Sequence, residues 1–246
     1  MKIKLLIVLN FFILNTYAQI PGFMGKRFSV GYSNYIMLAG LGPTANAGDK
    51  NEVFTGLNTT HCLNLEYTIR NRTNFCFSFQ TLKTGVSYQY SNYAPKPYTP
   101  MQLRTFNLGL GLKFFRKGTL APIGKYNKLE LLLLLTKLTY GDNSFISTEY
   151  NYGTTTRISK GTGNYNFTTF GVVYTTGRSR VLFNKLVLDY GLRLGVVPPG
   201  ILAFFLGDIG DGGQGQFEST LNRQVNFRLF REQLVNFHIG LGFLAF

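Results

Sequence analysis

The sequence contains no apolar run long enough to cross a membrane as a helix. Its most apolar stretches, 5–14 and 129–138, reach about half of the roughly 20 residues that such a helix needs. Tryptophan is absent, and histidine occurs only twice. Gly-x-Ser-x-Gly, Walker, His-Glu-x-x-His and Cys-x-x-Cys motifs are absent too. The mature chain is therefore expected to be either soluble or a membrane β-barrel, with little support for an enzyme.

Aromatic residues and glycine are abundant, with 23 Phe, 15 Tyr and 28 Gly. Aromatic residues suit a wall that faces lipid, and glycine suits interior positions where the wall curves. In the absence of tryptophan, tyrosine is expected to supply the aromatic girdle at the membrane interfaces. The composition thus favours the barrel.

The start of the sequence resembles a secretory signal peptide. A short basic start precedes the apolar run, and the segment 16–18, Thr-Tyr-Ala, offers a cleavage site with small residues. We predict that residues 1–18 are a signal peptide and that 19–246 form one outer-membrane β-barrel domain. An N-terminal anchor helix is the alternative.

Eight segments alternate apolar and polar residues with the period of two that is typical of β-strands. Strands of about 12 residues exceed the globular mode of 5–6 and match the roughly 9–11 residues that cross a membrane at a tilt. The predicted strands are Phe28–Gly40, Thr60–Asn71, Asn74–Tyr90, Leu103–Phe115, Tyr126–Tyr140, Tyr165–Gly177, Lys185–Val197 and Asn236–Phe246.

Long connections alternate with short ones, which is the asymmetry expected of outer-membrane barrels. The long connections are 41–59, 91–102, 141–164 and 198–232. The predicted fold class is all-β, a closed antiparallel up-and-down transmembrane β-barrel with eight strands. A ten-stranded barrel is the rival, with added strands at Gln224–Arg231 and Gly200–Leu206.

Three segments leave local alternatives open. The apolar parity of the third strand shifts, which predicts a bulge near Thr84-Gly85. The leucine run in Tyr126–Tyr140 would also suit a buried helix. Gln224–Arg231 suits a ninth strand, an extension of the last hairpin or a short amphipathic helix. Gly207–Gly215 lacks the ligand spacing of a calcium loop and is interpreted as a loop tip.

The two cysteines are predicted to be free thiols that point inward. A tight turn between the second and third strands would pair Cys76 with a residue near Ile69. Cys62 would then lie about seven residues away, roughly 23 Å along the wall. That separation is far beyond the reach of a disulfide.

Charged residues on the polar faces predict a network inside the barrel. An eight-stranded barrel is just wide enough for side chains to fill it, and buried charges must be paired. We interpret this set as a salt-bridge plug, with a narrow gated channel as the alternative. The predicted interior residues are Glu66, Arg70, Lys113, Glu130, Asp189, Arg193 and His238.

The pattern predicts no catalytic, cofactor-binding or metal-binding residues. Parity points His61 toward lipid or the rim and His238 inward, and neither has a nucleophile on the same strand face. Each histidine is therefore interpreted as structural.

The net charge of +14 points to an anionic partner. No basic helix or aromatic platform indicates nucleic acid. The expected partners are outer-membrane lipid and lipopolysaccharide. The alternative is that the excess charge lies at turns as a solvated rim.

The last strand, Asn236–Phe246, alternates and stops on an aromatic residue, as outer-membrane barrels do. Phe243 and Phe246 are predicted to form the C-terminal signal for the barrel-assembly machinery. With the signal peptide and the segments Gln19–Tyr32 and Phe114–Tyr126, this strand resembles small outer-membrane β-barrel proteins of Bacteroidetes-type bacteria. The resemblance implies an asymmetric outer membrane and no assigned reaction.

The expected function is that of a non-enzymatic structural or accessory component of the outer membrane. It would present long external loops, such as 198–232, to a partner protein or to lipopolysaccharide, and an outer-membrane protein complex is a candidate partner. A narrow pore for small solutes is the alternative, and a lipid-modifying enzyme is a third hypothesis.

Overall fold

The barrel predicted from the sequence is confirmed, with eight antiparallel strands that close on themselves. The computed structural model describes residues 22–37, 58–86, 101–116, 120–140, 146–151, 154–159, 162–199 and 215–245. The elements are β1 (Phe28–Met37), β2 (Thr59–Arg70), β3 (Thr73–Val86), β4 (Met101–Phe115), β5 (Gly124–Tyr140), β6 (Ile146–Asn151), β7 (Thr154–Ser159), β8 (Gly163–Leu182), β9 (Leu186–Val196), α1 (Gly215–Leu234) and β10 (Val235–Leu244).

The strands follow the order β1-β10-β9-β8-β5-β4-β3-β2 around the barrel. Closure comes from the first and last strands, which pair from Ser29 opposite Leu244 to Met37 opposite Asn236. β6 and β7 form a separate hairpin in the connection between β5 and β8, which the sequence did not predict.

The outer face carries an apolar band. On β4 every second residue from Phe106 to Phe114 points outward, and the alternate residues are buried inside. The leucine run of β5 continues the same pattern, with Leu129 and Leu131 outward and Leu132 buried, so the helix alternative for this segment is wrong. An apolar exterior around a polar interior is the arrangement of a transmembrane barrel.

The connections define two ends of the barrel. The turn end is where β2, β4 and β8 end and where β3, β5 and β9 begin, and the sequence connects them through 71–72, 116–123 and 183–185. The loop end is the opposite end of the barrel, and the sequence connects the strands there through 38–58, 87–100, 141–162 and 197–234. Outer-membrane barrels carry short periplasmic turns and longer outer loops, so the lengths of the connections predict that the loop end faces the cell exterior. Among the described residues, no helix is long and apolar enough to cross a membrane.

One local prediction is wrong, and one open alternative is decided. β3 and β4 keep one register along their full length, so Thr84-Gly85 forms no bulge. The parity shift arises because the interior becomes apolar toward the loop end, where Leu82 is buried. The segment Gln224–Arg231 belongs to helix α1, which is the helical alternative in a longer form.

Both cysteines are free and buried, as predicted. Their predicted spacing is wrong, since Cys76 pairs with Glu66 and Cys62 pairs with Gln80. The two thiols thus lie four residues apart along the wall, on the order of 13 Å. This distance still excludes a disulfide.

Some predictions lie outside the described residues. They are the signal peptide 1–18, the rival strand Gly200–Leu206, the loop segment 207–214, and Phe246.

Close packing at the inner face makes one glycine sensitive to substitution. In Gly191→Ala, the new Cβ would meet the Thr176 carbonyl oxygen and lie 2.6 Å from the Gly177 Cα. These are backbone atoms that cannot give way freely, so we expect Gly191→Ala to lower the free energy of unfolding by about 1–3 kcal/mol. Urea titration of the folded barrel in detergent would measure the change.

Gly31→Ala is the matched control, because its Cβ would lie no closer than 3.4 Å to any neighbour. Equal effects of the two substitutions would show that packing at Gly191 is not the cause.

Candidate functional site

The interior side chains form two layers. A network of charged and polar groups lies toward the turn end, and an apolar layer lies toward the loop end, where α1 packs against it. Each layer is assembled from side chains of alternate residues on several strands. The interior is the candidate functional site because it holds the buried charges of the molecule.

Lys113 is the centre of the charged network. Its Nζ lies 2.9 Å from Glu66 Oε1 and 2.8 Å from Asp189 Oδ2, and its side chain is 2 % exposed. The ammonium group also sits 4.0 Å from the centre of the Tyr126 ring. Two carboxylates and one aromatic face thus surround a single buried cation. Such a charge is retained only with partners of this kind.

Asp189 also binds a hydroxyl and an imidazole. Tyr126 Oη donates a 2.6 Å hydrogen bond to Asp189 Oδ1. The Nε2 of His238 lies 2.9 Å from that hydroxyl and 3.2 Å from the same carboxylate oxygen. The three residues come from β5, β9 and β10, so the contacts tie three strands together inside the barrel.

A second cluster lies beside the first. Lys128 Nζ lies 3.2 Å from Glu130 Oε1, and the Ser78 hydroxyl donates to the same oxygen. Gln80 Nε2 donates to the Ser78 hydroxyl at 3.1 Å. Gln80 in turn accepts a 3.0 Å hydrogen bond from Arg193 Nη2. This chain of contacts links β3, β5 and β9.

The arrangement offers structural contacts and little chemistry. Tyr126 and His238 are buried, and the histidine lies beside a tyrosine and a carboxylate without a serine or thiol in hydrogen-bond contact. Among the residues that the structure describes, no group of three or more His, Cys, Asp or Glu side chains could hold a metal ion.

The structure places six of the seven predicted interior residues inside the barrel and leaves Arg70 outside. Arg70 is exposed at the last position of β2. A register shift between Thr68 and Arg70 interrupts the pairing there, so its position no longer follows the parity of the strand. His61 is exposed on the outer face, where its Nδ1 lies 2.6 Å from the Tyr32 hydroxyl.

Sequence reasoning missed several members of the network. Lys128 has the same parity as Glu130 two residues on, and this spacing could have predicted the pair. Tyr126 has that parity too, and it begins the predicted strand Tyr126–Tyr140. The aromatic ring of Tyr35, which lies 4.3 Å from the Arg193 guanidinium, gave no comparable signal. Aromatic residues fall on both faces of these strands, so parity alone does not separate them.

The apolar layer crosses the interior near the loop end. Two of its members come from α1, and the others come from the strands and the segment after β9. The buried residues of this layer are Met101, Leu103, Leu132, Leu134, Leu138, Val173, Val197, Val225 and Leu229. Helix α1 therefore contributes to the packing inside the barrel as well as to the connection before β10.

A polar clamp holds α1 in place. Arg228 Nη2 lies 2.7 Å from Glu232 Oε1, and both side chains contact the Thr84 hydroxyl of β3. Asn58 Nδ2 donates to the same Glu232 oxygen at 2.8 Å. Burial raises the pKa of Glu232, whereas Arg228 and the hydrogen bonds from Thr84 and Asn58 oppose that rise. The clamp joins the helix to the barrel wall through these contacts, while Arg228 Nη1 is buried without a hydrogen-bond partner.

The apolar outer band and the closed barrel indicate that this protein lies in a membrane. A wall of this kind satisfies every backbone group between its strands and presents apolar side chains to lipid, as membrane barrels require. The protein is an outer-membrane β-barrel.

No protein-family model matches the chain, and no curated protein matches it. Among solved structures, it is similar to the attachment invasion locus protein Ail of Yersinia pestis, with 10% identity, coverage of 89% of this chain and 96% of that chain, and a TM-score of 0.39. Neisserial surface protein A has 12% identity, the same coverages and a TM-score of 0.40. The N-terminal β-barrel domain of OprF from Pseudomonas aeruginosa has 6% identity, coverages of 89% and 97%, and a TM-score of 0.32. At these identities and scores they assign no ligand or activity to this chain.

Proposed function

We propose that this protein is a non-conducting, non-enzymatic barrel that acts as a structural or accessory component of the outer membrane. Its long outer loops would present a surface to a partner protein or to lipopolysaccharide. The observation that carries the proposal is the apolar layer inside the barrel, which includes Val225 and Leu229 of α1. A barrel whose interior is filled in this way acts through its outer surfaces.

Two features support a closed interior. The side chains of the apolar layer are at most 2 % exposed. Below them, Lys113 and Glu130 are held by ion pairs and hydrogen bonds at similarly low exposure. A conducting pore needs a continuous water-filled path, and both layers oppose one. The charged cluster is therefore interpreted as a structural plug.

The interior groups also support a function without catalysis. Lipid or peptide hydrolysis needs a nucleophile or an activated water beside a base. His238, the histidine inside the barrel, is engaged by Tyr126 and Asp189 beneath the apolar layer. A substrate from either leaflet would have to displace these contacts to reach it.

The proposal includes the origin and assembly of the chain. We place it with the small outer-membrane barrels of Bacteroidetes-type bacteria, made with a signal peptide and inserted by the barrel-assembly machinery. Phe243 is exposed on the outer face of β10, where an assembly signal could be read. The loop end would contact an outer-membrane protein complex or lipopolysaccharide.

Planar-bilayer conductance tests the central claim. We expect the purified protein to insert without steady openings, because the apolar layer blocks ions and water. A porin inserted in the same bilayer would serve as the positive control. Steady openings that disappear in Arg193→Gln would contradict the proposal and favour the pore.

Co-purification of a stoichiometric protein from native outer membranes in mild detergent would identify the partner of the loops.

A further inference from the structure

Three cations form a row on the outer wall near the loop end. Lys83 of β3 pairs in register with Arg104 of β4, and Arg104 pairs with Lys137 of β5. All three side chains are exposed. We infer that this row is a binding site for the phosphate groups of lipopolysaccharide in the outer leaflet. The inference rests on the proposed function, which names lipopolysaccharide as a partner at the loop end, and it places the binding site on the wall of the barrel.

The row lies at the upper border of the apolar band. On β4 the next outward residue below Arg104 is Phe106, and on β5 the next one below Lys137 is Leu135. Side chains at this border can lay their aliphatic stems along the lipid and hold their charges at the headgroups. The row is therefore placed at the depth of the headgroups of the outer leaflet.

The row is electrostatically unfavourable by itself. Like charges directly opposite each other on neighbouring strands destabilise a sheet. Among the described residues, no carboxylate is recorded in an ion pair with any of the three, and Arg104 contacts only the side-chain oxygen of Gln102, at 3.1 Å. An anion bound across the row would remove the repulsion.

The acidic side chains that the structure describes do not supply that anion. Those whose side chains are described all lie inside the barrel, within the network or the clamp. They are Glu66, Glu130, Asp189 and Glu232. The described side chains of the outer wall thus include cations and no carboxylate, and the surrounding lipid is the source of negative charge that we infer.

The row is a patch on one side of the barrel. Its neighbour across the β5–β8 pair is Asn166, and toward β2 the exposed side chains nearest this level are Thr59 and His61. The cations of the turn end are instead spread around the barrel, as a solvated rim would be. They are Lys26, Arg27, Arg70, Arg72, Arg116, Lys125, Arg178, Arg180 and Lys185.

The dimensions and chemistry fit a phosphorylated headgroup. Neighbouring strands lie about 4.8 Å apart, so the three backbone positions span roughly 10 Å. Arginine offers a fork that can bind one phosphate with two hydrogen bonds, and the flanking lysines add point charges. Because the loop end faces the exterior, the lipid at this level is lipopolysaccharide.

Binding of purified lipopolysaccharide to the folded barrel in detergent tests the site. We expect the triple variant Lys83→Gln/Arg104→Gln/Lys137→Gln to bind about a hundredfold more weakly than the unmodified protein. The matched control is Lys125→Gln/Arg178→Gln/Arg180→Gln, which removes the same charge from exposed residues at the turn end. Unchanged mobility of the unheated barrel in a denaturing gel would show that both variants are folded.

Dephosphorylated lipopolysaccharide provides the second comparison. We expect it to bind the unmodified protein as weakly as lipopolysaccharide binds the row variant. Equal losses in the two triple variants would overturn the site, because overall charge would then explain the binding. The inference also fails if the row variant binds normally, if dephosphorylation has no effect, or if phosphatidylglycerol vesicles compete as well as lipopolysaccharide.

Discussion

Replacement of Lys113 by methionine is expected to lower the free energy of unfolding by about 3–5 kcal/mol. The substitution removes the ammonium group that lies 2.9 Å from Glu66 and 2.8 Å from Asp189. Two carboxylates inside the barrel would then face each other without a cation, which is the costly outcome of breaking a buried ion pair. Urea titration in detergent, followed by the difference in gel mobility between heated and unheated samples, would measure the loss.

Two further variants make the expectation specific. Lys125→Met changes an exposed lysine of β5 and is expected to leave the titration midpoint nearly unchanged. The triple variant Lys113→Met/Glu66→Gln/Asp189→Asn also replaces both carboxylates with neutral amides. Much of the stability that Lys113→Met loses should therefore return. If Lys113→Met unfolds at the midpoint of the unmodified protein, the ion pairs do not stabilise the barrel.

Introduction of a carboxylate at Leu229 is expected to release helix α1 from the barrel. Leu229 is fully buried in the apolar layer, and the exchange of a buried leucine for alanine alone costs about 2–5 kcal/mol. Leu229→Asp adds an unpaired charge, so the helix should leave the interior. We expect trypsin to cut after Arg228, which is buried in the docked helix, at a rate increased by about a hundredfold.

Mass spectrometry of the trypsin fragments over time would report the cutting site and its rate. Asn222→Asp is the matched control, since it places the same carboxylate at an exposed position of α1. It should leave the helix resistant. A Leu229→Asp protein that resists trypsin as well as this control would show that the apolar layer does not hold α1.

The alternation of residues predicted the wall of the barrel closely. Thr60–Asn71 and Leu103–Phe115 correspond to β2 and β4 within a few residues, because one face of each strand meets lipid and the other meets the interior. The same parity placed Lys113, Asp189 and Arg193 inside. A period of two is a local property, and the bilayer enforces it on every strand.

The alternation of residues gave a wrong prediction where the interior of the barrel changes from polar to apolar. The bulge predicted at Thr84-Gly85 rested on the assumption that the inner face stays polar along each strand. Leu82 and Leu132 are instead buried inside, and Leu132 belongs to the layer that includes Leu229 of α1. No local pattern predicts that a helix from a distant connection will pack inside this end of the barrel.

The sequence by itself determined the strand pattern of the wall, the solvent that each face meets and the class of residue at each side, because these depend on a repeat that can be read along one strand. Closure with eight strands, instead of the rival ten, was decided by the tertiary structure. Tertiary structure decided which charges pair, since Lys113, Glu66 and Asp189 are far apart in the chain and meet only when the barrel closes. It also decided the closure of the interior by α1 and the alignment of Lys83, Arg104 and Lys137 in one row. Register between strands sets which charges pair and which cations align, and register is a property of the whole closed sheet.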